Sequence, residues 1–174
     1  MAVGGLSGTG KTSLARRLAP DLGAAPGALH LRSDVLRKRL FGVAELSRLP
    51  QAAYNPAMTV RVYGEILERA REALGAGHSV IVDAVYANPS EREALEAVAR
   101  DLDVPFQGLW LTAPEPVMAE RVTGRRGDAS DATAEVVRRQ LSYDIGAMTW
   151  QQIDANGPLE SVVATAAEAL RRNV

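Results

Sequence analysis

Residues 5–12 read Gly-Leu-Ser-Gly-Thr-Gly-Lys-Thr and match the G-x-x-x-x-G-K-[ST] pattern at every fixed position. The apolar residues 1–3 before them predict the end of a β-strand, and residues 13–19 have the apolar spacing of an amphipathic helix. Strand, glycine-rich loop and helix form the context in which this pattern binds phosphate. A glycine-rich turn without a ligand is the alternative, but such a turn does not require Gly-Lys-Thr at the start of a helix.

The pattern assigns a task to each residue type in the loop. Glycine permits backbone conformations that a Cβ atom would forbid, so the loop amides can turn towards phosphate oxygens. The dipole of the following helix favours the same anion. Lys11 is expected to reach the β- and γ-phosphates of ATP, and the Thr12 hydroxyl to hold Mg²⁺. The loop residues predicted to bind the nucleotide are Gly5, Ser7, Gly8, Thr9, Gly10, Lys11, Thr12 and Ser13, and Arg121 and Arg125 are predicted to bind it from outside the loop.

The composition limits the class of protein. The chain has 174 residues, of which 47% are hydrophobic, and this predicts a single domain over residues 1–174. No apolar run reaches the ~18 residues that span a bilayer, and there is no secretory pattern, so a cytoplasmic protein without membrane contact is expected. Cysteine is absent, which excludes disulfides, and a net charge of −1 gives no general attraction for nucleic acid. Only four residues precede Gly5, so either the first strand is short or a fusion partner lies upstream.

Five short apolar segments alternate with helical patterns, which predicts an α/β fold with a parallel sheet. The predicted strands are 1–3, 29–33, 79–84, 106–111 and 150–153. The predicted helices are 13–19, 34–41, 57–74, 91–102, 114–122, 134–145 and 158–172. Ligands of such a sheet bind outside the carboxyl ends of the strands, where the glycine-rich loop, Asp34 and Asp83 all fall.

Asp34 directly follows the second predicted strand, and Arg37 comes three residues later, on the same face of a helical turn. Taken alone, Ser33 and Asp34 are equally typical of a helix N-terminus that needs a cap. With a phosphate-binding loop on a neighbouring strand, a carboxylate at this place is suited to accept a proton from a substrate hydroxyl, as kinases require.

These motifs together resemble the P-loop small kinases of the AAA_33, or "predicted kinase", group. The resemblance rests on residues 5–12, Ser-Asp-Val-Leu-Arg-Lys at 33–38, Val-Ile-Val-Asp-Ala at 80–84, and the segment 121–131. The group is related to zeta toxins, chloramphenicol phosphotransferase, gluconate kinase and the kinase domain of polynucleotide kinase. The version most similar to residues 125–131 is often fused behind an aminoglycoside-phosphotransferase-like domain.

The resemblance implies a three-layer α/β/α P-loop NTPase fold of the nucleoside-monophosphate-kinase type. The implied sheet order is 2-3-1-4-5, with a lid over about residues 121–133. It further implies that Asp34 is the general base, that Arg37 contacts the substrate, and that Arg125 is a lid arginine.

Asp83 and a group of arginines complete the candidate phosphate site. Asp83 ends an apolar strand, where an acid can bind Mg²⁺ through water or orient Thr12; a solvated strand end is the alternative. Arg121, Arg125 and Arg126 surround a predicted helix end, so a lid could bring them onto the transferring phosphate. The alternative for these arginines is a solvated helix C-terminus, which the helix dipole also favours.

The remaining polar and aromatic residues are assigned by position. Tyr54, Asn55 and Arg61 lie where kinases of this type line the acceptor pocket, although a surface loop capped by Asn55 is equally consistent. Residues 156–158 follow the last strand and, by analogy, border the adenine. Both histidines (His30 and His78) are expected to be structural, and both tryptophans (Trp110 and Trp150) to lie in the core.

The sequence therefore predicts an ATP- and Mg²⁺-dependent kinase that phosphorylates a hydroxyl of a small molecule such as an antibiotic, sugar or nucleoside. In this hypothesis Asp34 is the base, and Lys11, Arg125 and Arg121 stabilise the transferring group. Two alternatives stay open. One is a polynucleotide 5′-hydroxyl kinase, for which nucleic acid is possible but not favoured; the other is a nucleotide-binding regulatory domain of a larger protein.

Overall fold

A computed structural model describes residues 1–125 and 127–172. Within these residues, five strands form one parallel sheet in the order β2-β3-β1-β4-β5, which confirms the predicted architecture. The strands are β1 Ala2–Gly5, β2 Leu29–Arg32, β3 Val80–Asp83, β4 Gly108–Thr112 and β5 Gln151–Asp154.

Helices connect the strands and cover both faces of the sheet. The helices in the described residues are α1 Lys11–Leu18, α2 Ser33–Leu40, α3 Pro56–Gly75, α4 Pro89–Asp101, α5 Glu115–Thr123, α6 Ala134–Leu141 and α7 Leu159–Arg172. Short 3₁₀ helices lie at Ala19–Asp21 and Gln51–Tyr54. None of the helices described is long and apolar enough to cross a membrane.

The core consists of two layers on opposite faces of the sheet, because successive side chains of a strand point to opposite faces. Val3 packs with Leu14 of α1 and Val162 of α7 on one face, whereas the adjacent Ala2 packs with Ile66 of α3 on the other. Both faces of the strands are therefore covered, as in parallel sheets generally. A smaller cluster joins α5 to α6 through Met118, Val122 and Val137. It holds these two helices beside the carboxyl end of the sheet.

The sixth helix is shorter than the sequence pattern predicts. It ends at Leu141 rather than near residue 145. Beyond it, the buried Arg92 guanidinium donates hydrogen bonds to Ile145 O at 2.8 Å and Ala147 O at 2.9 Å. A cation buried in the core needs such acceptors. Since these carbonyls point towards Arg92, the segment leaves the helical path that its apolar spacing indicates.

Candidate active site

The glycine-rich loop turns tightly between β1 and α1, and its glycines are needed there. Gly8 has φ +87°, and a Cβ atom on it would come within 2.5 Å of Met118 O in α5. Gly10 has φ +96° and is the N-cap residue of α1. Both conformations lie in the left-handed region, which side chains other than glycine disfavour. Only glycine therefore allows the loop to curl this closely between the two helices.

Several loop amides have no hydrogen-bond acceptor among the residues that the structure describes. Among the described residues, none accepts a hydrogen bond from the amides of Gly8, Gly10, Lys11, Thr12 and Ser13. The first turn of a helix always leaves such donors, and together with the dipole they form an anion site. The loop thus fits the phosphates of a nucleotide.

Lys11 lies inside this loop with its ammonium directed at the backbone. Its Nζ donates to Leu6 O at 2.9 Å. Burial lowers the pKa of Lys11, while the nearby charges of Asp83 and Asp34 act in the opposite direction. A cation at this position, close to two carboxylates, is placed to neutralise phosphate charge.

Thr12 and Asp83 form the pair that the sequence predicts for the metal. The Thr12 hydroxyl donates to Asp83 Oδ2 at 2.5 Å, and Asp83 is buried at the end of β3. Burial alone would raise the pKa of Asp83, but His30, Lys11 and Thr12 outweigh it, so the pKa lies below its usual range. His30, expected to be purely structural, has its Nε2 3.5 Å from Asp83 Oδ2.

A magnesium ion fits this pair when nucleotide oxygens complete its shell. Among the residues described, no cluster of three or more His, Cys, Asp or Glu side chains could hold a metal by itself. Mg²⁺ in nucleotide sites usually takes one or two protein oxygens plus phosphates and waters. The ionised carboxylate of Asp83 and the hydroxyl of Thr12 are oxygen ligands of that kind.

Asp34 lies across the opening from the loop, in the first turn of α2. It is half-buried, and burial together with the charge of Asp83 raises its pKa, against the lowering effect of Lys11. A carboxylate with a raised pKa is a better proton acceptor than an exposed one, because its basicity lies closer to neutral pH. The N-cap residue of α2 is Arg32, so Asp34 lies inside the first turn and is not the cap residue of this helix.

Asp34, Lys11, Thr12 and Asp83 all line one open cavity of about 940 Å³. A volume in this range holds a small-molecule ligand. The cavity extends from the loop to α2, α3, α4 and α6. The other polar and aromatic side chains that line it include Arg48, Gln51, Tyr54, Thr59, Tyr63, Asn88, Glu91, Glu135, Arg139, Tyr143 and Asp144.

The predicted acceptor residues are not all in this cavity. Arg37 and Tyr54 line it, whereas Arg61 is exposed on α3 and is not among its lining residues. Asn55 caps α3, its side chain accepting from Met58 N at 2.8 Å. Arg37 is buried, and its Nη1 donates to Ala53 O at 2.9 Å. Its guanidinium carbon Cζ lies 5.0 Å from the centroid of the Tyr54 ring. Arg37 therefore supports the pocket wall through its own protein contacts.

Arg121 and Arg125, four residues apart, make different contacts. Arg125 lines the cavity close enough to Lys11 to lower the pKa of Lys11. Arg121 instead donates to Gly157 O at 3.3 Å, in the loop predicted to border the adenine. Arg126 lies outside the described residues. Of the two arginines that the structure describes, Arg125 lines the cavity near Lys11 and Arg121 does not.

The second half of the predicted lid is held by ion pairs that sequence reasoning missed. Arg32, at the end of β2, pairs with Asp128 at 2.8 Å. Lys38, buried in α2, pairs with Asp131 at 3.2 Å, and the Tyr54 hydroxyl donates to Asp131 at 2.7 Å. No local signal in the sequence marks these pairs, because the partners lie 96 and 93 residues apart. Their pairing attaches residues 128–131 to the helix that carries Asp34.

The contact between Gln140 and Ser7 could not be predicted, because Gln140 belongs to no sequence motif. The side chain of Gln140 in α6 accepts a hydrogen bond from the amide of Ser7 in the glycine-rich loop. The helix that follows the predicted lid thus touches the phosphate-binding loop directly.

Comparison with known proteins agrees with this geometry. The AAA_33 family model, described as an AAA domain, matches residues 1–143. An uncharacterized protein of Mycobacterium tuberculosis is 38% identical over 172 residues, which cover 94% of this chain and 33% of that protein. This chain therefore spans about a third of the length of that relative. A cytidylate kinase of Methanopyrus kandleri is 32% identical over 144 residues, covering 82% of this chain and 70% of that protein.

Among solved structures, a gluconokinase from Sinorhizobium meliloti has the same fold. It superposes with a TM-score of 0.65 at 24% identity, over 98% of this chain and 90% of the gluconokinase. At this identity the likeness shows the fold alone. It confirms the three-layer P-loop kinase architecture.

Proposed function

The chain belongs to the AAA_33 family, and from that membership and the cavity we propose that it is an ATP-dependent kinase for a small-molecule hydroxyl. The observation that carries the proposal is the place of Asp34. Its carboxylate lines the same cavity as Lys11 and the Thr12–Asp83 pair, but lies on a different strand end from the phosphate loop. One crevice thus offers a phosphate cradle on one side and a proton acceptor on the other.

The chemistry follows from that arrangement. The free loop amides and Lys11 bind the phosphates of ATP, and Arg125, in the lid that we assign to residues 121–133, adds positive charge where the phosphoryl group moves. Thr12 and Asp83 would hold Mg²⁺, which would supply positive charge to the phosphates when bound. The oxygen of the substrate hydroxyl forms a bond to the γ-phosphorus while the bond between the γ-phosphorus and ADP breaks. Asp34 takes the proton that this hydroxyl loses.

The lining of the cavity supports an acceptor that is rich in hydrogen-bonding groups. Its walls carry aromatic rings, amides and carboxylates, including Tyr63, Asn88 and Glu91. Such walls suit a sugar, a nucleoside or a hydroxylated antibiotic, because each hydroxyl needs a polar partner and each ring face an apolar one.

A nucleoside monophosphate is the second candidate acceptor. Two observations favour it: one relative is named a cytidylate kinase, and Arg48 and Arg139 are among the residues that line the cavity. Against it stands Asp34, whose negative charge would lie beside the second anion. A hydroxyl acceptor needs that carboxylate, whereas a phosphate acceptor is repelled by it.

The test is a panel of acceptors with ATP and Mg²⁺, using ADP release as the rate and ³¹P NMR to identify the product. The panel contains sugars, nucleosides, hydroxylated antibiotics, cytidylate and a 5′-hydroxyl oligonucleotide. We expect at least one small hydroxyl compound to raise ADP release above hydrolysis and to yield a phosphate monoester, and Lys11→Ala to abolish both. Turnover only with cytidylate would establish the second candidate instead. Turnover with no compound would favour a regulatory nucleotide-binding domain.

A further inference from the structure

Gln140 is a buried polar residue that the proposed mechanism does not yet use. It lies in α6, whose first turn is capped by the Thr133 hydroxyl and whose apolar face packs on α5 through Val137. Its Oε1 accepts a hydrogen bond from Ser7 N at 2.7 Å, across 133 residues of sequence. This contact joins the helix after the lid to the third position of the phosphate-binding motif.

The contact determines which way the Gln140 amide faces. A backbone N–H can only donate, so the atom opposite Ser7 N must be the oxygen of the side chain. The Nε2 group, with two donors, therefore points elsewhere. Within residues 1–125 and 127–172 it donates to no acceptor, and Gln140 lines the cavity together with Lys11 and Arg125. Two hydrogen-bond donors on a cavity-lining residue thus have no partner among the described residues.

The peptide between Leu6 and Ser7 is held from both sides. Its N–H is bound by Gln140, and its carbonyl oxygen accepts from Thr9 Oγ1 at 2.8 Å and Lys11 Nζ at 2.9 Å. Lys11 is the residue that reaches the terminal phosphates in this motif, so this peptide adjoins the place where the γ-phosphate must lie. Gln140 and Lys11 therefore bind the two ends of the same peptide group.

We propose that Gln140 binds the transferred phosphoryl group, its Nε2 donating to a γ-phosphate oxygen while its Oε1 keeps the Leu6–Ser7 peptide in place. A neutral donor is suited to this role, because it stabilises charge without adding to the cations already present. The inference rests on the proposed function, since it presumes that the loop binds ATP. Gln140 belongs to none of the motifs found in the sequence. Through this residue, α6 would contact the γ-phosphate directly.

The test exploits the asymmetry of the amide. Gln140→Glu keeps an oxygen for Ser7 N but replaces the donor by an oxygen that repels phosphate. We expect the dissociation constant of a non-hydrolysable ATP analogue with Mg²⁺, measured by calorimetry at pH 8 without acceptor, to rise about 10–100-fold. The dissociation constant of ADP should change less than about twofold, because ADP lacks the group concerned. Gln152→Glu is the matched control: it is exposed, lies on β5 and makes the same charge change.

The outcomes separate this inference from the function on which it rests. If Gln140→Glu weakens the binding of ADP and of the ATP analogue equally, Gln140 acts only on loop structure and the inference is wrong. If it weakens the binding of neither nucleotide, Gln140 does not contact the γ-phosphate and the inference is equally wrong. If the unaltered protein binds neither nucleotide, the proposed function itself fails. Should Gln140→Glu not fold, Gln140→Met retains the length without a donor and must still weaken the ATP analogue more than ADP.

Discussion

The ion pair between Lys38 and Asp131 gives the sharpest prediction about stability. Lys38 is 1% exposed, and its ammonium lies 3.2 Å from Asp131 Oδ1. Asp131 also accepts from the Leu49 amide at 3.1 Å and from the Tyr54 hydroxyl at 2.7 Å. Asp131→Ala leaves a buried cation without a partner and removes the acceptor of two further donors. Loss of one partner of a buried pair costs about 3–5 kcal/mol in the free energy of unfolding.

The assay is urea unfolding followed by circular dichroism, with the double variant Lys38→Met/Asp131→Ala completing a mutant cycle. Methionine fills the same space without charge, so the double variant should be more stable than Asp131→Ala alone. Glu65→Gln is the matched control, because its pair with Arg69 is partly exposed and should cost about 0.2–1 kcal/mol. A loss below about 1 kcal/mol for Asp131→Ala, additive with Lys38→Met, would refute the reasoning.

The difference in the free energy of unfolding between the unaltered protein and Asp131→Ala should depend on pH if its origin is electrostatic. Burial would raise the pKa of Asp131, but its hydrogen bonds with Tyr54 and Leu49 and the charge of Lys38 lower it overall. A carboxyl whose pKa is lowered by folding stabilises the protein above its unfolded pKa, near 3.9, and loses that contribution as pH falls through the folded value. The stability gap between the unaltered protein and Asp131→Ala should therefore narrow in acid.

Three further predictions concern activity. Lys11→Ala should abolish phosphate transfer with little change in thermal stability, and an ADP-release assay beside a melting curve checks both. Arg125→Ala should lower turnover by ~10³ or more while ATP affinity changes little, because such arginines act on transition-state charge; equal turnover would remove Arg125 from the mechanism. The acid limb of kcat/KM should lie above the usual carboxyl range, since activity needs ionised Asp34 and burial raises its pKa; a limb at or below pH 4 would contradict this.

The parts of the site that depend on local sequence could be predicted. The glycine-rich loop, Asp34 and Asp83 each occupy the carboxyl end of a strand, and the topology of a parallel sheet brings such ends together. Strand and helix order followed from apolar spacing in the same way. The helix limits were less accurate where tertiary contacts compete with spacing, as Arg92 does beyond α6.

The residues that could not be predicted have distant partners. Arg32 meets Asp128 across 96 residues, Lys38 meets Asp131 across 93, and Gln140 meets Ser7 across 133. Each of these polar residues is unremarkable in its own segment, and its burial follows only from how α2, α6 and the loop pack. Sequence spacing describes one element at a time, so pairs of this kind appear only when the whole chain is folded.

The central claim is that different residues of one cavity bind ATP and accept the proton, the glycine-rich loop doing the first and Asp34 the second. The Asp34→Asn variant tests this claim most directly. ATP affinity and single-turnover transfer to the first acceptor found in the panel are measured on the same sample. The account predicts an ATP dissociation constant within about twofold of the original, and a transfer rate lower by roughly 10²–10⁴-fold. A variant that loses ATP affinity but transfers phosphate at the original rate would contradict it, and the proton acceptor would then have to be sought elsewhere, first at Asp83.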